Sequence, residues 1–145
     1  MLDATLTQAL PLLLAAGLGA AIGFERRLRQ HPAGLHTHAL VALGACAYMA
    51  AGFVLQGEAP ARLAAQVISG VGFLCGGIIL HQGPTVRGLN TAATAWCSSA
   101  VGVLVGMQKP VLASILAATV LLTNISLHWI EHSFFKEPTI EGPSD

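Results

Sequence analysis

The chain has 145 residues, of which 54% are hydrophobic and only 10% charged, and seven basic side chains balance seven acidic ones. Soluble domains carry about a quarter charged residues, so the composition argues against an ordinary soluble domain. Because the net charge is zero, the chain has no excess of positive charge with which to bind the phosphates of a nucleic acid.

Five stretches without a charged side chain are long enough to cross a bilayer. About 20 helical residues cover roughly 30 Å of hydrocarbon, and helices satisfy their own backbone hydrogen bonds in lipid. We therefore expect an all-α membrane protein with about five transmembrane helices. The spans are predicted near residues 4–24, 36–56, 63–80, 90–107 and 110–130, in one membrane domain over 1–130, with a short tail over 131–145.

The charges around the first span predict its orientation. A cleaved signal peptide has positive charge before its apolar run, whereas here the arginines follow it, so we expect a retained helix with its N-terminus outside. This orientation places Arg26, Arg27, Arg29, Arg87 and Lys136 on the inner side, and Arg62 and Lys109 on the outer side. The positive-inside rule favours it, and it makes the C-terminal tail cytoplasmic.

Glu25 directly follows the first span and is the only acidic residue near that end of it. One interpretation is a pair with Arg29, four residues later on the same helix face. The other is a polar network between helices that includes Arg87. The sequence leaves both open.

The second predicted span begins with two histidines, His36 and His38. Side chains two residues apart point to different sides of a helix, so the two do not form a metal pair. We expect both to lie at the membrane interface.

Small and polar residues form a stripe on each of the next two spans. The stripes consist of Gln66, Ser69, Gly70, Phe73 and Gly77, and of Thr91, Thr94, Ser98 and Gly102. They are expected either to pack together or to line a narrow wet cavity, and packing is the default because hydroxyls can bond to their own helix backbone. We expect the third span to be one continuous helix, and Asn90 to cap the fourth after a tight turn at Gly88.

The end of the fifth span, residues 128–132 (HWIEH), matches the H-x-x-E-H pattern of some zinc peptidases. Such sites also need a distant third ligand and a water-filled cleft. We interpret this segment as the end of the fifth transmembrane helix, at the membrane interface. The chain lacks the phosphate-loop, nucleophile-elbow and dinucleotide-binding motifs. We expect no enzyme activity, no cofactor and no metal site. Cys46, Cys75 and Cys97 are expected to be packing residues.

Two sets of residues emerge as candidates for function. The helix-packing glycines, in pairs four residues apart, are Gly19, Gly23, Gly72, Gly76, Gly102 and Gly106. Such pairs let helices approach closely, within one subunit or in a homodimer. The candidate polar network consists of Glu25, Arg26, His38, Gln66, Arg87, Asn90 and Thr91. Polar side chains in a bilayer are costly unless they are paired.

Three motifs, in order, resemble the MgtC/SapB family. They are residues 23–26 (GFER) with 33–41 (AGLHTHALV), residues 66–74 (QVISGVGFL) and residues 86–97 (VRGLNTAATAWC). The resemblance implies a multi-pass protein of the bacterial inner membrane that is linked to growth at low magnesium and, in pathogens, to virulence. Many members continue into a soluble C-terminal domain that this sequence lacks, so it resembles a short form.

The resemblance also implies a non-enzymatic regulator that binds the membrane part of the F-type ATP synthase. The abundance of small-residue helix faces favours such a regulator. The alternative is a small transporter or channel for magnesium or another small solute, with Glu25, Arg87, Asn90 and Thr91 around its cavity. A purely structural oligomer is a third hypothesis.

Overall fold

The computed structural model describes residues 2–31, 33–54, 60–82 and 85–134. Its elements are α1 (Leu2–Leu28), α2 (Leu35–Val54), α3 (Pro60–Ile78), β1 (Leu80–Gln82), β2 (Thr85–Arg87), α4 (Leu89–Gly106) and α5 (Pro110–Phe134). Within the described ranges, five helices are long and apolar enough to cross a membrane. The predicted fold class, an all-α multi-pass membrane protein, is confirmed.

The helix ends follow from local chemistry. The first backbone N–H groups of a helix have no partner within the helix, so proline, which has no N–H, is favoured at the first position. Pro60 and Pro110 begin α3 and α5 in this way. After α1, Gln30 takes a left-handed backbone conformation, with φ of 57°. The amide of His31 then donates to the carbonyl of Arg26, 3.1 Å away, which closes the turn.

The predicted cap of the fourth helix is wrong. α4 begins at Leu89, and Gly88 rather than Asn90 occupies the capping position, without a side-chain hydrogen bond. Gly88 has φ of +91°, and a Cβ there would overlap the carbonyl oxygen of Ile78. Glycine is therefore required for both its backbone conformation and this close approach.

The third predicted span is continuous, as expected, but it ends at Ile78. The chain then forms a short antiparallel hairpin in which Leu80 pairs with Arg87 and Gln82 with Thr85. Residues 81–87 lie between the third and fourth predicted spans, where no strands were predicted. At the other end of the molecule, α5 continues to Phe134, which is four residues beyond the predicted end of the fifth span; residues 135–145 lie outside the described residues.

α4 is the central helix of the bundle, because it packs against α1, α2, α3 and α5. Its small residues permit close approach to α2. A Cβ on Gly102 would overlap the carbonyl oxygen of Ala42, and a Cβ on Gly106 would lie 2.5 Å from the Cβ of Met49. The main hydrophobic cluster joins α1, α2, α4 and α5 through Ala15, Ile22, Cys46, Val101, Val105, Ala113, Ala117 and Val120.

The glycine pairs have different surroundings. Gly19 and Gly23 on α1 face the start of α2, where a Cβ on Gly23 would lie 2.7 Å from the Cα of Leu35. A Cβ on Gly72 or Gly76 of α3, by contrast, would meet no atom of the described residues within 4 Å. Two of the three pairs therefore lie at contacts within this chain, and the third does not.

Candidate functional site

A cluster of buried polar side chains lies where α1 ends and where α2 and α4 begin. Its members are Glu25, Arg26, His38, Thr91, Thr94 and Ser98. Four of them, Glu25, Arg26, His38 and Thr91, belong to the polar network predicted from the sequence. Because the three helices meet at this end of the bundle, residues far apart in the chain come together.

Arg26 connects α1 to α4. Its guanidinium Nη2 donates to the Oγ1 of Thr91 over 3.3 Å. The residue is only 2% exposed, and its Nε has no hydrogen-bond partner among the described residues. Arg26 is thus a buried cation whose hydrogen-bonding capacity is only partly used, although unpaired buried charges are costly.

Glu25 makes the local pair and not the predicted interhelical one. Its carboxylate forms an ion pair with Arg29, one turn further along α1. Apart from that ion pair, neither carboxylate oxygen accepts a hydrogen bond from a described residue. The Arg87 side chain is exposed on β2, and among the described residues no ion pair joins it to Glu25.

His38 joins α2 to α4. Its Nδ1 lies 2.9 Å from the Oγ of Ser98, and that hydroxyl donates to the carbonyl of Thr94 over 3.1 Å. Nδ1 donates to this hydroxyl in one histidine tautomer and accepts from it in the other. His38 is fully buried, whereas His36 is exposed.

The two predicted small-residue stripes do not pack together. Thr91, Thr94, Ser98 and Gly102 of α4 are buried. The stripe on α3 (Gln66, Ser69, Gly70, Phe73 and Gly77) is exposed. Gln66 is therefore not part of the buried cluster. Asn90 is also exposed, at the start of α4.

A groove of about 540 Å³ adjoins the buried cluster, and we name it the Arg26 groove. It is lined by Arg26, Arg29 and His31 from α1 and the turn after it, by Asn90, Ala93, Thr94 and Cys97 from α4, and by Leu116, Thr119, Val120, Thr123, Asn124, Leu127 and His128 from α5. The polar side chains of His31 and Asn124 were not among the predicted site residues. Asn124 could have been identified from the sequence, because it is a polar amide within a charge-free stretch.

His31 lies between α1 and α2, outside the membrane-spanning segments. Burial lowers the pKa of its imidazole, and the nearby positive charge of Arg26 lowers that pKa further. His31 is therefore neutral at neutral pH, because the ordinary histidine value is already about 6.5. The basic character of the groove comes from its two arginines.

A second groove, of about 550 Å³, lies between α2 and α3. Its lining is mainly apolar and includes Leu40, Tyr48, Leu63 and Val67, with Gln66 as a polar member.

Among the described residues, no group of three His, Cys, Asp or Glu side chains could hold a metal ion. The H-x-x-E-H segment forms the end of α5, and His128 is exposed there. The side chains of Glu131 and His132 lie outside the described residues.

Comparison with known proteins identifies the family. The profile of the MgtC family matches residues 12–133. Protein MgtC of Salmonella typhimurium is 50% identical over 113 residues, which make up 78% of this chain and 48% of that protein. Protein MgtC of Brucella abortus is 56% identical over 90 residues, 61% of this chain and 38% of the relative.

A third relative is an uncharacterized protein of Synechocystis, 48% identical over 122 residues, which are 81% of this chain and 51% of the relative. This chain thus spans about half the length of the curated relatives it matches. No solved structure matches it. The profile match covers the buried cluster, the Arg26 groove and nearly all of the five helices, and the chain therefore belongs to the MgtC family.

Proposed function

We propose that this protein is a non-enzymatic regulator of the bacterial inner membrane that acts in adaptation to low magnesium by contacting a second membrane protein through α3. The observation that supports this proposal is the outer face of α3. That face carries Gly72 and Gly76, beside which no described residue lies within 4 Å of an added Cβ.

Three features distinguish α3 from an ordinary lipid-facing helix. Gly72 and Gly76 lie four residues apart with open space beside them, as in helices that pack closely in membranes. Gln66 exposes an amide within a membrane-spanning helix, where an unpaired polar group is costly. The helix also buries few side chains, chiefly Val71 and Cys75 among those described. A partner helix would fill the space beside the glycines.

The membrane part of the F-type ATP synthase is the proposed partner, on the strength of the resemblance described above. Crosslinking in native membranes, followed by purification and mass spectrometry, tests this. We expect the wild-type protein to capture an ATP synthase subunit, and Gly72→Leu to reduce the capture severalfold. A crosslinked product that contains another membrane protein would refute the choice of partner and leave the regulator proposal standing.

A matched control is available on α1. Gly17, like Gly72, has nothing within 4 Å of an added Cβ, so Gly17→Leu adds the same bulk to an open helix face. We expect it to leave both folding and capture unchanged. If the wild-type protein is never crosslinked to a second protein, or if both variants lose capture equally, the proposed α3 contact is wrong.

The transporter alternative is supported by one observation. Glu25 holds two buried carboxylate oxygens that accept no hydrogen bond from a described residue, and magnesium takes oxygen ligands. Against it, the Arg26 groove is lined by two arginines and, among the described side chains, by no acid. Reconstituted liposomes decide the matter: magnesium flux that disappears in Glu25→Ala would favour transport, and no flux from folded protein would exclude a magnesium transporter.

A further inference from the structure

The Arg26 groove contains more hydrogen-bond donors than the protein uses. The Nε of Arg26 and the Nδ2 of Asn124 are both buried and have no partner among the described residues. Both side chains line this one groove, from α1 and from α5. Two residues with unused donors thus line the same groove, which favours a ligand with acceptor oxygens, because buried donors rarely remain unsatisfied.

The charges around the groove favour an anion. Glu25 forms its ion pair with Arg29 and also interacts electrostatically with Arg26, so two arginines share one carboxylate and one positive charge remains among these three side chains. Thr91, which accepts the hydrogen bond from Arg26, is a neutral hydroxyl. A cation that is 2% exposed, at the end of a membrane-spanning helix, is stabilised by a counter-ion, and arginine binds phosphate with particular strength.

The groove is also polar at one end and apolar at the other. The arginines, His31 and Asn124 lie towards the end of the bundle, whereas Leu116 and Val120 lie further along α5. The α5 lining extends from Leu116 to His128, which is about 18 Å of helix at 1.5 Å per residue. A free anion would use only the polar end. An amphiphile with a charged head and a hydrocarbon chain would fill both.

We propose that the Arg26 groove binds one anionic phospholipid, with its phosphate at Arg26 and Asn124 and an acyl chain along the apolar part of α5. The lipid would supply the missing acceptors and the missing negative charge together. This site lies on α1, α4 and α5, so the proposal does not depend on the contact proposed for α3.

Native mass spectrometry of the purified full chain tests the proposal, with phosphatidylglycerol, phosphatidylcholine and inorganic phosphate as probes. We expect one phosphatidylglycerol to bind at least several times more tightly than phosphatidylcholine. We also expect inorganic phosphate at equal concentration not to displace it. Equal affinity for the two lipids would overturn the proposal, and so would phosphate binding alone.

Two variants locate the binding site. Arg26→Gln and Asn124→Ala should each weaken phosphatidylglycerol binding by about tenfold or more, since each removes a donor to a charged acceptor. Asn124→Ala keeps the proposal testable if the Arg26 variant does not fold, because Asn124 has no bonded partner at its Nδ2 to lose. The control is Ser126→Ala on the same helix. The Ser126 hydroxyl donates to the backbone carbonyl of Leu122, and Ser126 does not line the groove. Unchanged lipid affinity in Asn124→Ala would refute the site.

Discussion

α4 and α3 are both rich in small residues, and each carries two glycines four residues apart, yet their surroundings are opposite. α4 contacts every other helix, and its glycines lie directly against the backbone of α2. α3 contacts mainly α4 and α2, and its glycines face open space. The glycine spacing thus shows that a helix can be approached closely, but it does not show whether the partner lies in the same chain.

The largest predicted difference between the two helices is in the unfolding free energy when a bulky side chain replaces one of their glycines. In Gly102→Leu the new side chain overlaps the Ala42 carbonyl, a backbone atom that cannot move aside, and we expect a loss of about 3 kcal/mol or more in unfolding free energy. Gly72→Leu should change the unfolding free energy by no more than about 0.5 kcal/mol. Unfolding in dodecyl sulfate, followed by circular dichroism, measures both. Equal losses would contradict the assignment of α4 as the packed helix.

A smaller effect is expected from the polar groups that α4 buries. Ser98→Ala removes the hydroxyl that bonds to His38 and leaves a buried imidazole nitrogen without its partner. We expect a loss of about 1–3 kcal/mol, the usual cost of such an unsatisfied group. Ser114→Ala on α5 is the control, because that exposed hydroxyl bonds only to the Pro110 carbonyl of its own helix. A loss in Ser114→Ala as large as in Ser98→Ala would show that the bond to His38 contributes nothing measurable.

The smallest predicted effect depends on pH and arises at the Arg26 groove. Burial and Arg26 lower the pKa of His31 in the folded protein, so the unfolded chain binds the proton more readily. The folded state is therefore destabilised as the pH falls below about 6.5, and this stability returns as the pH rises. In His31→Gln, the midpoint of thermal unfolding should therefore fall less than in the wild type as the pH is lowered below about 6.5 (the acid-side fall). The control is Ser114→Ala on α5, which removes no titratable group and should leave the acid-side fall as in the wild type. If the thermal midpoint of His31→Gln follows the wild-type pH profile, the proposed effect of His31 is contradicted.

Part of the candidate site could be predicted because polar groups in apolar stretches are conspicuous. Glu25, Arg26, His38 and Thr91 were chosen for that reason, and the structure buries all four together. Gln66 carried the same signal, yet it is exposed. Polarity identifies a side chain that needs a partner, but the direction in which it points depends on the rotation of its helix about its own axis, which local sequence does not determine.

The sequence by itself determined the membrane class and the number of helices, because hydrocarbon thickness and backbone hydrogen bonding act on each segment separately. Only the tertiary structure decided which helix became central, which glycine pair remained open, and that Arg26 and Asn124 line one groove. These are contacts between helices distant in the chain. They depend on how whole surfaces fit together, and similar small-residue stripes on α3 and α4 left several arrangements open.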